Sequence, residues 1–214
     1  MTLEQILLAI QAHIDRSNEP IDWADEDVVV RIEMANKAID SWAEDNATEW
    51  AELCANETLG VVRAGENSFS IDDDFNYIQE LRVGGSKIPE KRPEQALEPG
   101  RYFYVTGNKS DGYQVNLGWS VEEENSLIGQ QLKIIYFRTP AYLIKPKDIP
   151  EMRLPRYIVY AVCAELMIDD DSTQYGKYAN DAIFTLANMR QTNDRFSGSV
   201  SSDSALDDDN GIGG

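Results

Sequence analysis

Histidine is nearly missing from this chain: His13 is the only one in 214 residues. With no second imidazole, a His-based metal constellation has nothing to be built from. His13 sits beside an apolar stripe, which favours a partly buried structural role over that of an isolated general base. Cysteine is almost as scarce. Cys54 and Cys163 lie far apart with no CxxC spacing, and without a secretion signal both are expected to be reduced. Long hydrophobic runs are missing too. The longest, Tyr157–Ala164, has eight residues, far short of the roughly 20 that span a bilayer. The start, MTLEQILLAI, has no basic n-region and carries Glu4, so it does not read as a signal peptide, and a protein made in the cytoplasm is expected. Positive charge is in short supply as well. Against 38 Asp and Glu there are 19 Lys and Arg, a net charge of −19. Such a surface repels nucleic acid and anionic membrane and favours cationic partners, which argues against a DNA binder.

What the chain does have is enough apolar material for a real core. Hydrophobic residues make up 42% and charged residues 27%, the balance of a globular protein rather than a disordered one. Leu3, Ile6, Leu7, Ile10 and Ile14 fall on one face of a helix over residues 3–16, and Glu19-Pro20 ends it. A second helix is predicted to open at Asp22 as N-cap, with Asp25, Glu26 and Asp27 in the first turn where the helix dipole favours acid. Its stripe is Val28, Ile32, Ala35, Ile39 and Trp42. Residues 1–60 hold 14 acids against Arg16, Arg31 and Lys37, a local balance of −11, so one face of this helical pair is expected to be strongly negative.

From about Thr58 the period changes to that of short strands. Val61-Val62, Ser68–Ile71, Tyr77–Val83, Tyr102–Thr106, Tyr113–Leu117 and Leu132–Phe137 are rich in aromatic and β-branched residues. Asp111-Gly112 marks a hairpin, and Pro89, Pro93 and Pro99 make Ser86–Gly100 an excursion rather than a strand. Helix returns at Pro155, a residue suited to a first turn, with Ile158, Val159, Val162, Cys163 and Leu166 on the buried stripe. Asp169–Ser172 connects to a last helix, capped by Asp171 or Ser172, in which Tyr175, Tyr178, Ala179, Ala182, Leu186 and Met189 recur at helical spacing. Residues 196–214 hold five Ser, four Gly and four Asp and no Lys or Arg, the composition of a flexible acidic tail.

The expected architecture is therefore α+β. An antiparallel helical bundle of about four helices (1–57 and 143–195) carries an inserted small antiparallel β-barrel or sandwich (58–142) and a flexible C-terminal tail (196–214).

Chemistry finds little to stand on. Cys163 lies on a core stripe and would need a distant His–Asp partner to act as a nucleophile; Cys54, after Trp50 and Leu53, reads as core as well. The triplets Asp72–Asp74 and Asp169–Asp171 invite a Ca²⁺ reading, and the second resembles the opening of an EF-hand loop. Gln174 stands where that loop needs Gly, however, and no Glu occupies the twelfth position, so capping and connecting is the better account; Asp207–Asp209 reads as solvated tail. No GxSxG, Walker-type loop, GxGxxG or zinc signature occurs. Lys145, Lys147, Arg153 and Arg156 form a modest basic cluster, suited to pairing with the acidic helices or to meeting phosphate. No cofactor or metal is expected.

Several phrases, taken in order, resemble the head-to-tail connector (adaptor) proteins of tailed bacteriophages. They are "DWADEDVVVRIEMANKAIDSW" (Asp22–Trp42), "WAEL" (Trp50–Leu53), "SIDDDFNYIQELRVGGSKI" (Ser70–Ile88), "GRYFYVTGN" (Gly100–Asn108), "LKIIYFRTPAYL" (Leu132–Leu143), "DIPEMRLPRYIVYAVCAEL" (Asp148–Leu166) and "YGKYANDAIFTLANMR" (Tyr175–Arg190). The resemblance spans about residues 3–195. It implies a non-catalytic virion structural protein at the neck, assembled in the host cytoplasm into a twelve-fold ring of copies beneath the portal protein. The ring would offer a platform to a downstream neck or tail protein. By position, the tail would reach the portal, with Phe196, Val200, Leu206 and Ile212 as apolar anchors. Asp25, Glu26, Asp27 and Glu33 would face the channel, where packaged DNA passes without specific binding. No membrane partner is expected. The alternatives are a stopper or tail-completion protein, an acidic DNA mimic that inhibits a DNA-binding enzyme, and a carboxylate-dependent hydrolase.

Overall fold

The computed structural model describes residues 1–45, 48–96, 98–119, 127–168 and 172–202, with side chains as far as residue 194. The chain is α+β, with four α-helices and two antiparallel sheets among the described residues. It divides into two compact units, one of Met1–Glu52 with Pro140–Gly214 and one of Leu53–Thr139.

The first unit holds the helices α1 (Leu3–Ile14), α2 (Glu26–Ala43), α3 (Arg156–Leu166) and α4 (Ser172–Ser202). Thr2 caps α1 through a capping box. Its hydroxyl accepts the Gln5 N–H, and the Gln5 side chain accepts the Thr2 N–H at 3.0 Å, so two otherwise orphaned donors are satisfied. α1 buries Leu3, Ile6, Leu7 and Ile10, as its spacing predicts. α3 packs against α1, α2 and α4, which explains why its eight-residue apolar run needs no solvent-facing break. Cys163, on that run, is fully buried, and burial pushes its thiol up to about 12.

The cap of α2 is Asp25, not Asp22. Asp25 accepts the Asp27 N–H at 3.0 Å. Asp22 instead accepts the Ala24 N–H with its carboxylate and the Asp25 N–H with its carbonyl, at 3.0 and 3.1 Å. A local Asx turn thus competes with the helix for the same backbone. α4 runs seven residues past Arg195, so Phe196 and Val200 stand on helical backbone rather than in a loose tail. Once nucleated, a helix gains one hydrogen bond per added residue and passes through indifferent sequence. Leu206, Ile212, Asp169–Asp171 and Asp207–Asp209 lie outside the described residues, as does the Ser172 side chain.

The second unit holds β1 (Cys54–Val61), β2 (Ser68–Ile71), β3 (Phe75–Val83), β4 (Ser86–Ile88), β5 (Phe103–Asn108), β6 (Gly112–Leu117) and β7 (Gln131–Arg138). They form two sheets, ordered β1-β7-β3-β4 and β2-β6-β5, rather than the closed barrel that was one expectation. Closure depends on long-range pairing, and here the last strand, β7, inserts between β1 and β3. One apolar cluster is shared by the two sheets. Leu81, Val83, Leu132, Ile134 and Tyr136 come from the first; Phe69, Ile71, Phe103, Val115 and Leu117 come from the second.

Ser86–Ile88 forms a three-residue strand where an excursion was expected. Gly84 and Gly85, at φ 56° and 87°, turn the chain back onto β3, and Pro89 ends the pairing, since proline brings no ladder donor. Cys54, expected in the core, is exposed. It opens β1, an edge strand, whose outward face tolerates such residues.

Candidate functional site

The residues that stand out are in the helical unit, and they are surface residues. Residues 140–155 contain Pro140, Pro146, Pro150 and Pro155, which deny the segment a helix or a central strand. It is nevertheless fixed at several points. The Asn36 side chain of α2 clamps Leu143 from both sides, Nδ2 donating to its carbonyl at 3.0 Å and Oδ1 accepting its N–H at 2.8 Å. This is strand-like pairing supplied by one side chain, and it accounts for the asparagine within "MANKAI".

Asp148 closes the segment on itself by accepting the N–H groups of Lys145 at 2.7 Å and Ile144 at 2.8 Å. Those two donors hold its carboxyl below the ordinary aspartate value. The carbonyls of Asp148 and Pro146 in turn accept the N–H groups of Leu3 and Glu4 at 2.8 and 3.0 Å, so the segment satisfies the open end of α1. Tyr142 donates to Asp40 at 3.0 Å, and the Ala141 N–H to Glu151 at 3.2 Å. The Asp40 carboxylate raises the Tyr142 hydroxyl above the ordinary tyrosine value.

Having been fixed in this way, the segment buries Leu143 and Met152 but shows three other apolar side chains to solvent. Ile144 is 72% exposed and Ile149 66%, with Tyr142 about half exposed. Lys145 and Lys147 are exposed between them. The same holds on α4, where the buried stripe is Tyr178, Ala182, Thr185, Met189 and Asn193, while Ile183 and Phe184 are 66% and 67% exposed. Scattered single hydrophobic residues on a surface need no explanation, but grouped ones mark interaction surfaces. The proline spacing and the adjacent Ile183-Phe184 pair, off the helical stripe, were the signals available in sequence.

The acidic candidates Asp25, Glu26, Asp27 and Glu33 are all exposed on α2, three of them at its first turn. Val29 and Val30, nearly half exposed, lie among them. Of the basic cluster, Arg153 pairs with Glu52 at 3.2 Å. His13 is exposed, and its Nδ1 lies 3.3 Å from the Tyr178 hydroxyl, the two rings meeting edge to face. Among the described residues no group of three or more His, Cys, Asp or Glu side chains is placed to hold a metal ion. At the Asp72–Asp74 turn, Asp74 faces Arg138 at 3.4 Å, and its carbonyl accepts from Thr139.

Two further clamps hold the ends of the helices. Trp50 donates to the carbonyl of Trp42 at 2.7 Å, and their rings lie 5.3 Å apart. Asn193 of α4 donates to the Glu49 carbonyl at 2.7 Å and accepts the Ala51 N–H at 2.9 Å. Beside them Arg190 bridges both Asp45 oxygens at 2.6 and 2.5 Å, holding that carboxyl below the ordinary range.

No protein-family model matches the chain, and no curated protein matches it in sequence. No described helix is long and apolar enough to cross a membrane.

Proposed function

We propose that the chain is a non-catalytic structural protein of a tailed-phage virion: a head-to-tail adaptor at the neck. In this reading copies form a ring, twelve-fold by resemblance, between the portal and a downstream neck or tail protein. The four helices act as a bundle, and the end of the chain, with Phe196, Val200, Leu206 and Ile212, reaches the portal. The observation that carries the reading is the pinned segment after β7. It is held at several points by polar contacts, yet it leaves Ile144 and Ile149 in water. A chain that orders a segment and exposes its isoleucines is built to be covered by another molecule.

The charge balance of −19 supports a channel lining, because acidic helices give passing DNA nowhere to adhere. Asp25, Glu26, Asp27 and Glu33 are the lining candidates that the resemblance implies. The test is light scattering and negative-stain microscopy of the purified full chain, alone and mixed with the portal of its own phage. Rings seated on the portal are expected. A monomer that ignores the portal and binds a basic host enzyme would instead favour a DNA mimic.

A further inference from the structure

Two exposed apolar pairs in the helical unit are flanked by opposite charge. One is Ile144 and Ile149, with Lys145 and Lys147 exposed beside them, while the carboxylates of Asp148 and Glu151 are engaged by the loop's own N–H groups. The other is Val29 and Val30 on α2, with Asp25, Glu26, Asp27 and Glu33 around them. All six of these charged residues (Lys145, Lys147, Asp25, Glu26, Asp27 and Glu33) are exposed. They are different places on the unit. Asn36, which pins the loop through Leu143, lies seven residues beyond Val29 on α2, about two helical turns away.

We propose that the lysine-bearing loop of one copy docks on the acidic first half of α2 of a second copy, isoleucines against valines and lysines against carboxylates. The occupant is a second copy because this chain carries both halves of a complementary pair. Two unlike patches that recognise one another give a head-to-tail contact, which either closes into a ring or runs on as a filament. A patch meeting its own image would set lysine against lysine or acid against acid, and that contact is disfavoured. The rigid hold on the loop adds to the argument, since a segment already ordered loses little entropy on docking. The proposal deepens the adaptor reading and rests on it only in taking the chain to work as many copies; it places the acids of α2 in the contact between copies, in place of the channel lining that the resemblance implies for them.

The test uses the full chain and two charge reversals, Lys145→Glu with Lys147→Glu, and Glu26→Lys with Glu33→Lys. The capping Asp25 is left in place. Sedimentation at low salt should show each reversal weakening self-association by about tenfold or more, with circular dichroism unchanged. A 1:1 mixture of the two variants, or one chain carrying all four substitutions, should recover association to within about threefold of the natural chain, because every contact again joins opposite charges. Added salt should weaken the natural and the swapped chain alike. Rescue cannot come from variants that merely fail to fold.

A natural chain that stays monomeric at about 1 mM, far above the dissociation constant of a specific contact, would overturn the proposal. So would reversals without effect, or swapped chains that do not recover. If any of these occurred while the chain still formed rings on the portal, this contact would fall and the adaptor reading would stand. Charge-swap rescue in a chain that ignores the portal would do the opposite.

Discussion

The two units of this protein hide their apolar side chains to different degrees. In the β unit, Val61, Tyr77 and Ile128 are the exposed large hydrophobic residues among those described, and Tyr77 is stacked on Phe137. In the helical unit they are Met1, Val29, Val30, Tyr142, Ile144, Ile149, Ile168, Tyr175, Ile183 and Phe184. The means of support differ as well. The β unit is held by one shared apolar cluster and its ladders, with Tyr136 at the centre donating to Glu57 at 3.0 Å. Burial, and then that carboxylate, raise the Tyr136 hydroxyl well above its ordinary value. The helical unit adds amide and carboxylate clamps to its core, at Asn36, Asp45, Asp148 and Asn193. A unit satisfied by its own core has little left to offer a partner. On the proposed reading, the unit that fixes a loop with polar side chains and leaves the loop's isoleucines in water is the one that meets a partner.

The largest effect should come from breaking the β core itself. Leu132 is fully buried on β7, between β1 and β3, so Leu132→Ala should cost about 3 kcal/mol in urea unfolding. On the adaptor proposal, portal binding by the molecules that remain folded should be unaffected. Next comes Asn36→Ala, which strands the N–H and carbonyl of the buried Leu143 and should cost about 2 kcal/mol. Unlike the first variant it should also impair assembly, and a stability loss with normal assembly would remove the loop from the contact.

Asp45 sharpens the comparison through pH. Its carboxyl is held below the ordinary value of 3.8, chiefly by the Arg190 hydrogen bonds. Its contribution is therefore complete above that value and is lost as pH falls through the lower, folded-state value. Asp45→Asn should cost about 1 kcal/mol at neutral pH, since Arg190 is partly exposed, and should flatten the loss of stability below about pH 4. The smallest effect on stability is expected from Ile183→Ser with Phe184→Ser. This change should stay within about 0.5 kcal/mol in a thermal melt while weakening association; unchanged association would show that this face stays uncovered. Thiol chemistry separates the units without any substitution. Cys54 is exposed, whereas burial holds the Cys163 thiol up to about 12, so at pH 8 a disulfide reagent should modify one thiol quickly and the second only on unfolding.

Much of the fold was legible in the sequence wherever a feature is local. The apolar spacing of α1, the buried run of α3 and the strands β2, β3, β5, β6 and β7 follow from side-chain period within a few residues of where the structure has them. What escaped depends on partners far along the chain. The two-sheet arrangement turns on β7 entering between β1 and β3, and no local pattern encodes that choice. Asn36 reaches Leu143, and Asn193 reaches Glu49, so neither reads as more than a polar residue on a helix. The cap of α2 was misplaced because Asp22 and Asp25 are both good caps, and the Asx turn at Asp22 decides between them. Cys54 was misread because its neighbours Trp50 and Leu53 are buried while β1 begins at an edge. The acidic residues of α2 were visible as a group; the apolar residues that lie among them needed the structure.

Hydroxyl-radical footprinting of the full chain, free and seated on the portal, tests the central claim most directly, because it reads side-chain exposure residue by residue. Val29, Val30, Ile144 and Ile149 should lose most of their reactivity on assembly, while Val61 and Tyr77 of the β unit keep theirs. Protection of Val61 and Tyr77, with the four helical-unit residues still reactive, would contradict the account.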